Sequence, residues 1–474
     1  MTETASKLKR DRAAFEAARE AVEPIIAEMN AKYAMVRVGT SVAIICEDPE
    51  FELMTVDAFN AWLSNRKVLV DTGSGKKFVP LARYWREHPQ RRSYAGIDFD
   101  PSRLEIPGKY NLWKGFPIAP VHRPGACDKF LAHLRDNICS GSEEIYLWVM
   151  GWFADIFQNP APRPPNKKSD TALVLRGPQG TGKTKVGQVY SRLLGDYFTT
   201  VARASMITGT FNMHLRANLL FQAEEAFWAG SKEAEGIIKD LVTGDTHWIT
   251  PKHVNSFKVK NFTRLLVNGN HGWIFPGAPG ERRAAVLDVA EHHKDDHAYF
   301  RAIDEEMENG GYEELMWQML HFDLTKTNIR RIPETKALFD QKLEGLDPKQ
   351  GWWMDFLARG ELPYGCDEPR CVAKETLFKD YVEKTRQRGI HHRSLETTLG
   401  IFINRHAKPT VQTLQYRVPR KDGMGWQIVT GKGVYALPHL KECRAMWSQI
   451  MKHTIEWDDP DADWTTAAAP ELPI

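Results

Sequence analysis

ALVLRGPQGTGKTKVGQVYSRLLG, residues 172–195, is the stretch on which the reading of this chain turns. Within it Gly177-Pro178-Gln179-Gly180-Thr181-Gly182-Lys183-Thr184 satisfies G-x-x-x-x-G-K-[ST]. A short apolar run of strand type leads in, and helical spacing follows as far as Gly195, a natural stop. Glycines there let backbone N–H groups converge on phosphate oxygens, and the start of a helix adds partial positive charge. In such a loop Lys183 reaches the β- and γ-phosphates of ATP, and the Thr184 hydroxyl ligates Mg2+. The pattern predicts an α/β core with a P-loop.

Two further apolar runs of strand length follow, NLLFQA (218–223) and RLLVNG (264–269). The first ends at Glu224-Glu225, which suits Glu224 to the metal and Glu225 to polarising the attacking water. Two surface glutamates opening a helix would read the same way. The second ends at Asn268-Gly269-Asn270, where Asn270 is the preferred γ-phosphate sensor over Asn268, and a plain Asn-Gly turn is the alternative. Arg282 and Arg283 precede the apolar run AAVLDVA; an arginine there reaches across a subunit boundary, unless the two are a mere surface pair.

Charge is unevenly spread. The formal net charge of +2 implies no polyanion partner by itself, yet residues 246–280 hold no Asp or Glu. HWITPKHVNSFKVKNF (247–262) alternates as a β-hairpin with Lys252-His253 at its tip and Lys258 and Lys260 on the return strand. Such a hairpin would grip a phosphate backbone without reading sequence, or stand solvated with no ligand. A second basic patch runs from Arg386 to Lys421 and fits either DNA contact or protein docking.

The 474 residues exceed one hydrophobic core. The expected organisation is an N-terminal region over 1–120 with a leading amphipathic helix; a helical lead-in over 121–165; the P-loop core over 166–330; a helical connector over 331–371; and a winged-helix-like module over 372–455. The tail 456–474, acidic and then low in bulky residues, is expected to be disordered. Six cysteines without C-x2-C pairing argue for reduced thiols rather than a zinc site. With no signal-peptide core and no apolar run of spanning length, a soluble protein of the cytoplasm, with no membrane partner, is expected.

GPQGTGKT, NLLFQAEEAFWAG, RLLVNGNHGW and GERRAAVLDV occur in the order and spacing of superfamily 3 helicases. Over roughly residues 80–330 the chain resembles phage and plasmid primase-helicases of the poxvirus-primase type, in their helicase part. The resemblance implies that the α/β core is of the AAA+ type; the flanking α-rich N-terminal region and C-terminal winged-helix-like module come from the residue patterns, the latter similar to the family's in outline only. It implies a hexameric ring that hydrolyses ATP between subunits and translocates on single-stranded or forked DNA in the replication of a phage, plasmid or mobile element. The setting is then a bacterial host's cytoplasm, with a separate primase or polymerase as partner, since no zinc set or nucleotidyl-transfer acid pair is found. Glu224 stands where the family mostly has Asp. The alternative function is a nucleotide-switched, DNA-binding initiator or helicase loader without processive unwinding.

Overall fold

The structure, a computed structural model, describes residues 24–48, 51–71, 75–162, 169–201, 212, 215–224, 236, 240–250, 255–270, 283–390, 394–419 and 426–468. Contacts divide the chain into two units, residues 1–269 with 289–330 and residues 270–288 with 331–474.

The first unit opens with a helical segment over 24–32 and a four-stranded sheet. Tyr33–Val38 and Ser41–Cys46 form a hairpin that turns at Gly39-Thr40, with Glu52–Thr55 on one side and Ser93–Tyr94 on the other. Thr55 caps the helix Val56–Trp62 by accepting from the Ala58 N–H at 3.1 Å. Beneath lies a core of Tyr33, Ile44, Phe59, Leu63, Leu81 and Trp85. The described residues of this region mix strands with three short helical segments, 24–32, Val56–Trp62 and Leu81–Glu87, while most of the leading helix expected over 1–30 lies outside the described residues. β-branched runs such as VRV and SVAII favour the pleated sheet, where branched side chains pack without loss at χ1.

The lead-in supplies the helix Glu143–Gln158, capped by Ser142, which accepts from the Ile145 N–H. Its Phe153 ring stacks on Tyr190 of the P-loop helix at 3.7 Å between centroids. In the first unit Phe198–Val201, Leu220–Glu224, Arg264–Gly269 and Ala172–Arg176 lie side by side in that order, each pair parallel. All five residues of Ala172–Arg176 are buried, as a strand covered on both faces requires. Arg264 opens its strand fully buried and is held by Asp155 at 2.7 Å.

The second unit contains the helices Lys336–Glu344 and Pro348–Arg359, the latter opened by an Asp347 capping box with proline at its start. Lys374–Gln387 and Glu396–His406 follow, then a three-stranded antiparallel sheet in the order Cys371–Ala373, Trp426–Ala436, Thr410–Pro419, and the helix Leu440–Met451. Trp352, Trp353, Phe356, Tyr381, Phe402 and Trp447 form its core.

The tail departs from expectation. Asp463 accepts from the Leu440 N–H, Trp464 donates to Pro438 O at 2.9 Å, and Thr465–Thr466 pairs in parallel with Glu361–Leu362. Two tryptophans set among the acids, Trp457 and Trp464, provide the apolar surface that docks it. All six cysteines are buried and free of disulfides. Among the described residues, no helix is long and apolar enough to cross a membrane.

Candidate functional site

The P-loop leaves the end of Ala172–Arg176 and turns into the helix Lys183–Leu194. Gly177 N–H donates to Gly269 O at 3.1 Å, tying the loop to the neighbouring strand. Thr181 closes it internally by donating its hydroxyl to Pro178 O at 2.9 Å. The Lys183 ammonium points back into the loop and donates to Gly177 O and Pro178 O, both at 2.6 Å. Thr184 is exposed in the first turn of the helix, and Gln179 is exposed at the loop's crest.

Two segments outside the motif brace this loop. Asn137 donates from Nδ2 to Thr181 O at 2.7 Å, and His133 Nε2 lies 3.2 Å from Gly182 O. Asp295 N–H donates to Gly180 O at 3.1 Å. Since a carbonyl only accepts, His133 carries its proton on Nε2; Nδ1 then accepts from the Tyr299 hydroxyl at 3.3 Å. Burial lowers the His133 pKa to about 4, so the ring is neutral at physiological pH. Gly182 has φ 87° and is packed so closely that a Cβ would stand 2.6 Å from His133 and from Phe300, which makes glycine obligatory on both counts.

The acidic side of the site lies two strands away. Glu224 ends Leu220–Glu224, in register with Asn268, whose Nδ2 donates to Glu224 Oε1 at 3.1 Å. Gln222 Nε2 donates to the same oxygen. Gln222 reads in the sequence as a polar break in an apolar strand; here it is buried against Gly187 of the P-loop helix, where a Cβ would overlap its Oε1. Among the described residues no cation pairs with the Glu224 carboxylate. Buried oxygens of Gln222 and Asn268 also lack a partner. A carboxylate without a counter-ion, with acceptor oxygens beside it, is a donor set suited to a hard cation.

Asn268 rather than Asn270 therefore meets Glu224, and Asn270 is exposed beyond the strand end. Arg283 is half-buried immediately before Ala284–Asp288. Glu225, Arg282, Lys252 and His253 lie outside the described residues. The hairpin that Lys252 and His253 would tip is present as Thr246–Ile249 paired antiparallel with Phe257–Lys260. Lys258 and Lys260 are exposed and alternate with the half-buried Phe257 and buried Val259. Trp248, not singled out in the sequence, sits opposite Lys258 and is 64% exposed. The alternation T-H-W-I already carried that signal. The bracing residues His133 and Asn137 carried none, because they lie over 40 residues upstream in an unremarkable helical stretch.

Residues 175–283 match a family of unknown function (DUF5906). The chain is 22% identical over 194 residues to the DNA primase-polymerase of Nitratiruptor phage NrS-1. That alignment takes in 40% of this chain and 26% of the relative, so it spans about a quarter of the phage protein. The apo structure of the NrS-1 C-terminal region (305–718) superposes with a TM-score of 0.58 at 13% identity, covering 87% of this chain and 98% of that one. Its A-form apo structure gives 0.57 at 14% identity, covering 86% and 96%. The fold is shared with that region.

Proposed function

We propose that this protein is a replicative DNA motor of a phage or related mobile element: an AAA+ ATPase of the superfamily 3 type that translocates on single-stranded DNA. The observation that carries the reading is the convergence of Lys183's loop with Glu224 and Asn268 at the same ends of parallel strands. A parallel sheet in which the P-loop strand adjoins the asparagine strand, with the Glu224 strand next beyond it, is the order an AAA+ core has over these strands. Likeness to a phage primase-polymerase supports the replication setting.

In this reading ATP displaces the Lys183 ammonium from the loop carbonyls onto its β- and γ-phosphates. Thr184 and Glu224 would hold Mg2+, which supplies charge neutralisation at the phosphates and asks for only one or two protein oxygens. Glu225, next in sequence, would orient the attacking water, and Asn268 or Asn270 would report the γ-phosphate. Arg282 or Arg283 would complete a neighbour's site in a hexameric ring, and Lys252, His253, Lys258 and Lys260 would hold DNA. A separate primase or polymerase would act with it in the host cytoplasm. A nucleotide-switched initiator or loader is the competing reading, favoured by the two amides that hold Glu224.

The test is ATP hydrolysis with and without single-stranded DNA, beside displacement of a labelled strand from a fork. The motor reading expects DNA-stimulated hydrolysis and unwinding, both lost in Lys183→Ala. Hydrolysis indifferent to DNA, with no strand displaced, would overturn it; slow hydrolysis with origin-specific binding would favour the loader.

A further inference from the structure

Lys67–Asp71 and Lys76–Pro80 form a two-stranded antiparallel sheet on their own. Alternation fixes its faces. Val68 is buried in the N-terminal core, with Val70 packed against it. The opposite face turns Lys67, Leu69, Asp71, Lys76 and Phe78 to solvent, with Leu69 directly across from Phe78 and Asp71 across from Lys76. Phe78 is 65% exposed, and Trp62, last residue of the preceding helix, is 66% exposed. Isolated exposed apolar residues need no explanation, but two large rings with a leucine beside one of them on a small domain do.

The electrostatic setting names the partner. Between residues 62 and 92 there are eight lysines and arginines against two acids, in a chain whose net charge is only +2. Arg66, Arg83 and Arg92 are paired with Glu28, Glu87 and Glu47. Among the described residues no carboxylate pairs with Lys67, Lys76 or Lys77. We propose that this face binds single-stranded nucleic acid, with a base stacked on Phe78 beside Leu69 and phosphates held by Lys67 and Lys76. Each unit of a single strand brings one π-face and one negative charge, which is what an exposed ring between Lys67 and Lys76 accommodates. A duplex hides its π-faces, and an acidic peptide would leave the rings without stacking partners. The surface uses none of the nucleotide-site residues, so it reaches beyond the motor reading and does not depend on it.

The test uses the full chain without nucleotide and a fluorescein-labelled oligo-dT strand, read by anisotropy. Phe78→Ala should weaken binding about tenfold, the effect of losing one stacked base. Phe78→Tyr should bind as the parent does, and Phe78→Leu should behave like alanine. Lys67→Gln with Lys76→Gln should flatten the dependence of log K on log salt by about 1.4, at roughly 0.7 per phosphate contact on a single strand. Because the Thr246–Lys260 hairpin also offers cations, iododeoxyuridine-substituted strands should be photocrosslinked and mapped; cross-links at Phe78 are expected. Cross-links confined to other residues would overturn the proposal. So would full binding by Phe78→Leu, which would mark an apolar docking face for a protein. These side chains point outward, so melting temperature and ATP binding should not move; loss of ATP hydrolysis in the parent would sink the motor reading and leave this one standing.

Discussion

Acid should loosen the brace on the P-loop through one residue, His133. Its ring is fully buried, donating to Gly182 O and accepting from Tyr299. Burial lowers its pKa from 6.5 to about 4; His293 and Lys185 push the same way, and the Gly182 carbonyl opposes them. The folded value lies below the unfolded one, so the unfolded chain takes up the proton first. The contribution is complete above pH 6.5 and is lost as pH falls toward 4. With those two values the loss between pH 8 and pH 5 comes to about 2 kcal/mol. His133→Asn supplies the check, since an amide can still donate to Gly182 O but does not titrate. Urea unfolding followed by tryptophan fluorescence at both pH values gives each protein's loss. Carboxylates common to both cancel in the difference, which should be about 2 kcal/mol. An equal loss in the two proteins would refute the reasoning.

Gly187→Ala should destabilise by roughly 1–3 kcal/mol, because its Cβ overlaps Gln222 Oε1, and thermal melting should show recovery when Gln222→Ala is added. Arg264→Met leaves Asp155 buried without its partner at 2.7 Å; a loss of about 3–5 kcal/mol is expected in urea, and Asp155→Asn in the same chain should return part of it. Trp464→Ala removes a ring 5.1 Å from Phe356 and a donor to Pro438 O, so limited proteolysis should cut near residue 460 faster while the P-loop unit's ATP binding is unchanged.

The legibility of this chain follows from how local each constraint is. The P-loop needs glycines and a lysine within eight residues, so its requirements are written contiguously, and the strand before it is apolar throughout because both faces are covered. Gln222 and Asn268 look like blemishes in apolar strands until the register sets one beside Glu224 and the other across from it. Register is a relation between distant segments, and no local pattern encodes it. The same holds for His133 and Asn137, whose partners are carbonyls, groups that every residue has. In the tail, acidity and alanine give a local pattern of disorder over 456–468, yet two tryptophans among them are enough to anchor about a dozen residues.

Asn255, on the basic hairpin, donates its amide to Ser41 Oγ at 2.8 Å and to Thr40 Oγ1 at 3.3 Å, on the turn of the N-terminal sheet. Both bonds are exposed and worth on the order of 1 kcal/mol each, since water competes for the same atoms. That makes a latch weak enough for thermal motion to open and specific enough to reset. Any displacement of the hairpin must first part these bonds to two small hydroxyls some 215 residues upstream.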